Sequence, residues 1–175
     1  MTKQELEVCI DQYSKDIYSF CRNLTHNLQE ADDLYQDTFL MALQLREKME
    51  YGKNPKSYFL SIAIRIWKNK KRKFAWRKRI ADTQLIVDER DTYTGESAEP
   101  SPEECIADKE KNKTIREAVD RLPEKLRIVV LLFYMEDLST AQIAEVMKIP
   151  VGTVLSRLHQ ARKILKKELE EVIYG

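Results

Sequence analysis

Between Arg65 and Arg79 the sequence RIWKNKKRKFAWRKR sets nine lysines and arginines among Trp67, Phe74 and Trp76, with no acid between them. Cationic side chains neutralise phosphates and aromatic rings stack on exposed bases, so this mixture suits capture of nucleic acid. A run of like charge alone is more often a solvated helix end. Here the interleaved aromatics and the missing acids favour a ligand. A second cationic element lies near the carboxyl end, IPVGTVLSRLHQARKILKK, starting at Ile149. At about 100° per residue, Val154, Leu158, Ala161, Leu165 and Leu169 fall within a sector of about 80°. The opposite side carries Ser156, His159, Gln160, Lys163 and Lys167, flanked by Arg157, Arg162 and Lys166. Such a helix packs through one stripe and offers hydrogen-bonding and cationic groups on the other.

A third stretch, EADDLYQDTFLMALQLREK, mixes carboxylates with large apolar groups. Its core stripe is Ala31, Leu34, Thr38, Met41, Ala42 and Leu45. The other side sets Asp33, Gln36 and Asp37 beside Phe39, Leu40 and Leu43, and a helix apolar on two sides is either central in its domain or covered by a partner. The mixture favours a partner surface. No Gly-rich phosphate loop is present, and neither His26 nor His159 has a convincing nucleophile partner, so no catalytic residue, cofactor or metal is expected. Cys9, Cys21 and Cys105 are an odd number without metal-ligand spacing; Cys9 and Cys21 could join His26 as ligands, but buried thiols in a reducing cytoplasm are the better reading. No apolar run approaches a bilayer span, and MTKQELEVCIDQ does not read as a signal peptide.

Helices must position these groups. The chain of 175 residues is 43% hydrophobic and 34% charged with little Gly or Pro, a balance that favours helix. Its net charge of +1 hides strong segregation. Residues 1–44 hold eight acids and three bases, residues 51–81 eleven bases and no acid, and residues 82–110 ten acids and two bases. Leu6, Ile10, Tyr13, Ile17, Phe20 and Leu24 recur at helical steps. Asn27 with Glu30 predicts a capping box opening the next helix. After the turn at Gly52, Asn54 and Pro55, a long third helix runs from an apolar half into the cationic one. The acidic stretch from Ala81 to Lys111 loses periodicity and reads as a flexible linker. About 25 residues of it have a relaxed span of roughly 25–30 Å and a stretched one of about 80 Å.

Beyond the linker, TIREAVDRL predicts a helix, and Pro123 suits the first turn of the next, EKLRIVVLLFYME. Ser139 and Gln142 form a capping box, with Leu138 and Ile143 as a hydrophobic staple. The short helix they open, the KIPVG turn and a helix capped by Thr153 read as a helix-turn-helix, whose second helix lies in the DNA major groove. The expected fold is all-α: two small helical domains joined by the acidic linker.

The order EADDLYQDTFLMA, NPKSYFLSIAIRIWKNKKRK and RLPEKLRIVVLLFYMEDLSTAQIAEVMKIPVGTVLSRLHQARKIL resembles the bacterial extracytoplasmic function sigma factors from about Leu6 to Leu169. That resemblance implies region 2 over residues 1–81, the linker over 82–111 and region 4 over 112–175, without a region 3 domain. It implies docking on core RNA polymerase, at the beta-prime clamp and beta subunits, through Asp32, Asp33, Leu34, Gln36, Asp37, Phe39 and Leu40. It implies melting and reading of the minus-ten element by Lys53, Asn54, Lys56, Tyr58, Arg65, Trp67, Lys68, Lys70, Lys71 and Arg72, with Trp67 or Phe74 as stacking surfaces. Thr153, Leu155, Ser156, Arg157, His159, Gln160, Arg162 and Lys163 fall to minus-thirty-five recognition.

The same resemblance implies a cytoplasmic protein held by an anti-sigma factor, which in this family is often membrane-bound. Arg65 stands where the family usually has Asn, Leu155 and Gln160 replace basic residues, and Lys148 occupies a common glycine position; altered promoter preference is expected. Two other classes compete. A stand-alone helix-turn-helix regulator would need no docking helix and would usually dimerise. A single-strand-binding protein would rely on residues 65–79 alone.

Overall fold

The computed structural model describes residues 1–50, 53–82 and 106–174, and the chain divides into two compact units at Gly95. The expected linker lies mostly outside the described residues. Every regular element among the described residues is helical, in agreement with the all-α expectation.

In the amino-terminal unit, α1 (Lys3–Thr25), α2 (Leu28–Gln44) and α3 (Pro55–Asp82) pack against one another pairwise. Leu6, Ile17, Phe20 and Leu24 of α1 meet Ala31, Leu34 and Ala42 of α2 and Phe59, Leu60, Ala63 and Trp67 of α3 in a buried core. Cys9 and Cys21 are buried there as well, and burial pushes the Cys9 thiol above its ordinary pKa. An edge-on series of rings, Tyr18–Tyr35, Tyr35–Phe39 and Phe39–Phe59 at 5.4, 4.9 and 5.2 Å between centroids, crosses from the surface of α1 to the centre of α3. Local signals explain the helix ends. Asn27 accepts a bond from the Glu30 backbone N–H at 3.1 Å, so one arm of the expected box is made. The chain leaves α1 through His26, in the left-handed region with φ 57°.

The carboxyl-terminal unit comprises α4 (Ile106–Asp120), α5 (Glu124–Val130), α6 (Thr140–Met147) and α7 (Val151–Tyr174). Helix α4 starts ahead of Asn112, inside residues read as linker. Leu122, Leu126, Val130 and Ala161 form one core cluster, with Val119, Ile164 and Leu165 packed against it. Ile143, Val154 and Leu158 are buried around it, so α7 packs on α4, α5 and α6 at once. Pro123 lies just before α5 rather than in its first turn: its carbonyl accepts from the Leu126 and Arg127 backbone N–H groups, the task of a capping residue. Helix α5 continues into a π-helical turn, Leu131–Met135, which Asp137 leaves in a left-handed conformation at φ 53°.

The capping box of α6 is complete. Gln142 N–H donates to Ser139 Oγ at 3.1 Å, and Ser139 N–H donates to Gln142 Oε1 at 2.9 Å. Lys148 ends α6 at φ 54°, and Pro150 leads into α7 at Val151. Thr153 does not cap that helix. It is the third helical residue, and its N–H bonds the Pro150 carbonyl at 3.0 Å, because the helix starts after Pro150, three residues earlier than expected. A side chain in the left-handed region costs roughly 1–2 kcal/mol that glycine avoids. Lys148→Gly is therefore expected to raise the stability of this unit by about 0.5–1 kcal/mol in urea denaturation, after the added flexibility of the unfolded chain is subtracted.

Candidate nucleic-acid and partner surfaces

Helix α2 must bury one face and leave another. Leu34 has 0% exposure and lies wholly in the core, so it holds the helix and cannot itself touch a partner, contrary to its place in the expected docking set. Its near neighbours in sequence do reach solvent: Asp32, Asp33 and Gln36 are exposed, and Leu40 is 59% exposed. Phe39 is half-buried by its ring contacts with Tyr35 and Phe59. Between α1 and α2 lies a groove of about 520 Å³ lined by residues that include Ile10, Tyr35, Gln36, Phe39, Leu40 and Leu43. Leu40 and Leu43 stand in solvent where the rest of the helix pattern would predict polar groups, which is the mark of a covered surface.

Two of the carboxylates on this helix are already held. The Tyr18 hydroxyl donates to Asp32 Oδ1 at 2.8 Å, a bond that raises the phenol pKa above its ordinary value. Asp37 Oδ2 sits 2.8 Å from Lys70 Nζ, with both side chains about half exposed. A residue expected to meet the polymerase is thus paired with one expected to meet DNA. Asp33 is exposed.

Along α3 the change of character falls within one turn. Ile62, Ala63, Ile64 and Trp67 are buried, and every residue from Lys68 to Ala81 is exposed. Trp67, expected as a stacking surface, is only 8% exposed: its position continues the stripe of Leu60, Ala63 and Ile64, so the core takes it. Lys71 Nζ lies 4.8 Å from its ring centroid, a cation–π contact that covers what remains. Phe74 and Trp76, at 62% and 65% exposure, are the rings open to a base. At the other end of α3, Asn54 Oδ1 accepts from the Ser57 backbone N–H at 3.4 Å. Lys56 is largely covered and pairs with Asp16 at 3.3 Å. Lys53 pairs with Glu50 at 2.8 Å and holds that carboxyl below its usual range through their hydrogen bond. Tyr58 is half-buried and Arg65 exposed.

Helix α7 presents Leu155, Ser156, His159, Gln160, Arg162 and Lys163 to solvent, while Arg157 and Thr153 are half-buried. Gly152, in its first turn, would place an added Cβ in open space and has an ordinary backbone conformation. Nothing within the protein demands glycine there. Arg162 is not loose: its Nε–H donates to the Tyr134 hydroxyl at 2.9 Å, and its guanidinium lies 5.7 and 5.9 Å from the Phe133 and Tyr134 ring centroids. Tyr134 carries little local signal in the sequence, only an aromatic pair at the end of an otherwise aliphatic helix.

Residues 9–78 match the family model described as Sigma-70 region 2, and residues 112–165 match that described as Sigma-70, region 4. The chain is 29% identical over 168 residues to the ECF RNA polymerase sigma factor SigW of Bacillus subtilis, covering 93% of this chain and 88% of that protein. It is also 29% identical over 174 residues to the RNA polymerase sigma-H factor of Pseudomonas aeruginosa, covering 98% and 89%. Among solved structures, the sigma factor RpoE of Bartonella quintana, crystallised with the anti-sigma factor NepR, shares its fold. The TM-score is 0.76 at 20% identity, over 94% of this chain and 96% of that one.

The burial pattern of α3 makes a direct test. Trp67→Ala is expected to destabilise the amino-terminal unit by about 3–5 kcal/mol, as loss of a buried aromatic does. Trp76→Ala should stay within about 0.5 kcal/mol. Chemical denaturation followed by circular dichroism distinguishes the two.

Proposed function

Because the chain belongs to the sigma-70 family, in its extracytoplasmic function group, we propose that its three presented surfaces divide the work of promoter-specific initiation among them. The protein is an alternative sigma factor that binds core RNA polymerase and directs it to promoters. One observation carries the division of labour. The apolar-acidic face of α2, the exposed cationic half of α3 and the polar-cationic face of α7 are each left open by helices whose other sides are buried.

On this reading Asp32, Asp33, Gln36, Asp37, Phe39 and Leu40 dock on the polymerase clamp. Leu40 supplies buried apolar area and the acids meet basic side chains of the partner. Lys68, Lys70, Lys71 and Arg72 hold the backbone of the melted strand, with Phe74 and Trp76 as stacking surfaces and Arg65 and Asn54 toward the bases. Extruding a base costs a few kcal/mol in lost stacking, which ring and phosphate contacts offset. Helix α7 enters the major groove through Leu155, Ser156 and Gln160, with His159, Arg157 and Lys163 beside the backbone. Gly152 leaves room for close approach of the duplex. Gln160 can pair with adenine in bidentate fashion, and Leu155 can contact a thymine methyl.

RNA synthesis itself is the polymerase's chemistry; this chain supplies recruitment and strand capture. On this reading the site of action is the cytoplasm, where the polymerase works; no helix among the described residues is long and apolar enough to cross a membrane. An anti-sigma factor, as crystallised with the Bartonella relative, would cover the exposed Leu40 and Leu43 until the factor is needed.

Transcription by purified core polymerase on a promoter library tests the reading: initiation that depends on adding this chain supports it, and none refutes it. Asp33→Lys and Leu40→Asp are each expected to weaken holoenzyme assembly by about tenfold or more. Neither should change duplex binding through α7. Gln160→Ala should shift base preference at one or two upstream positions by about 1–3 kcal/mol in a selection experiment.

A further inference from the structure

The contact between Arg162 and Tyr134 joins residues 28 apart in sequence and belongs to neither helix's local pattern. Its chemistry is specific. Arg162 uses Nε–H to donate to the Tyr134 hydroxyl oxygen, which leaves the two terminal guanidinium nitrogens without a hydrogen bond among the described residues. The tyrosine, accepting on its oxygen, keeps its own O–H proton to donate elsewhere. A hydroxyl that accepts from a cation becomes a better donor, since successive hydrogen bonds polarise one another. Both unspent donor sets belong to exposed side chains; Tyr134 is 53% exposed. No acid pairs with Arg162 among the described residues.

The fold goes to some length to make this pair. The π-helical turn at Leu131–Met135 adds a residue to the ladder and re-aims the side chains that follow, a distortion often found at functional positions. Phe133 stacks edge-on against Tyr134 at 4.9 Å and lies under the Arg162 guanidinium, fixing both partners. On α7, Arg162 shares a face with Leu155 and His159 and stands about 10 Å further along the axis than Leu155. If the first turns of α7 lie in the groove, that distance brings Arg162 to the groove wall, where the phosphates run.

We propose that Tyr134 and Arg162 form a composite clamp on one backbone phosphate of the upstream duplex, a role for Tyr134 that rests on the reading of α7 as the major-groove helix. The Nε–H bond holds the remaining guanidinium donors beside the tyrosine O–H, a set that suits an anionic acceptor, and a phosphate offers one at a groove wall. Tyr134 acts both as a donor and as the positioning residue for Arg162. The contact adds affinity without base preference.

The test uses the full chain bound to core RNA polymerase and a duplex fragment selected by the wild-type holoenzyme from a randomised library. Tyr134→Phe removes one hydroxyl and keeps the ring. It is expected to lower affinity about fivefold, the size of one hydrogen bond, and to leave the selected base profile unchanged. Arg162→Ala should lower the salt slope by about one phosphate, and in that background Tyr134→Phe should change affinity less than about twofold. Wild-type affinity in Tyr134→Phe overturns the clamp. So does an equal loss in both backgrounds, above all if the melting temperature falls with it, which assigns the tyrosine to packing. A wild-type chain that never assembles with polymerase overturns the functional reading itself, and the clamp with it.

Discussion

Helix α3 buries Phe59, Leu60, Ala63 and Trp67 against α1 and α2 and then runs on with every side chain from Lys68 to Ala81 in solvent. The second half cannot follow the first into a core, because so many like charges would lose hydration without partners to replace it. The apolar half cannot leave the core without exposing several large side chains. One continuous helix is therefore anchored at one end, and its free end projects as a cationic shelf about 20 Å long. Rigid anchoring gives that shelf a fixed direction, which a disordered basic tail would lack. The strand-capture role proposed for the amino-terminal unit depends on it.

Helix α7 solves the same problem sideways. Val154, Leu158 and Ala161 are buried against three other helices, and among the described residues of this unit the opposite face is left largely exposed. Left-handed Lys148 closes α6 and Pro150 opens α7, leaving three residues to turn the chain between them. The energetic weight lies in packing; the surface groups add little to folding and are left for a partner.

Several of the surface groups are held before any partner arrives. Asp37 pairs with Lys70, Asp32 with Tyr18, Lys56 with Asp16 and Arg162 with Tyr134. Exposed ion pairs contribute at most about 1 kcal/mol, because water and salt screen them and ordering two side chains costs entropy. Such contacts fix side-chain direction at small cost and give way readily to a stronger partner. The Asp37–Lys70 pair has a further consequence, because it ties α2 to the cationic part of α3. A protein docked on Asp37 would free Lys70 for phosphate.

The sequence by itself determined the helical class, the two-unit organisation, the complete capping box at Ser139 and Gln142, and the split faces of α2 and α7. All of these follow from near neighbours along the chain, where period and side-chain capping operate. Tertiary structure decided which residues at the edges of those faces are buried. Trp67 went into the core and Phe74 and Trp76 stayed out, although all three share one composition signal. Leu34 became purely internal, Pro150 took the place expected for Thr153 at the start of α7, and α4 began before Asn112. Tyr134 met Arg162 across 28 residues. Helical periodicity fixes the direction a side chain takes from its own axis, but exposure depends on where neighbouring axes lie, and those are set by packing between segments distant in the chain.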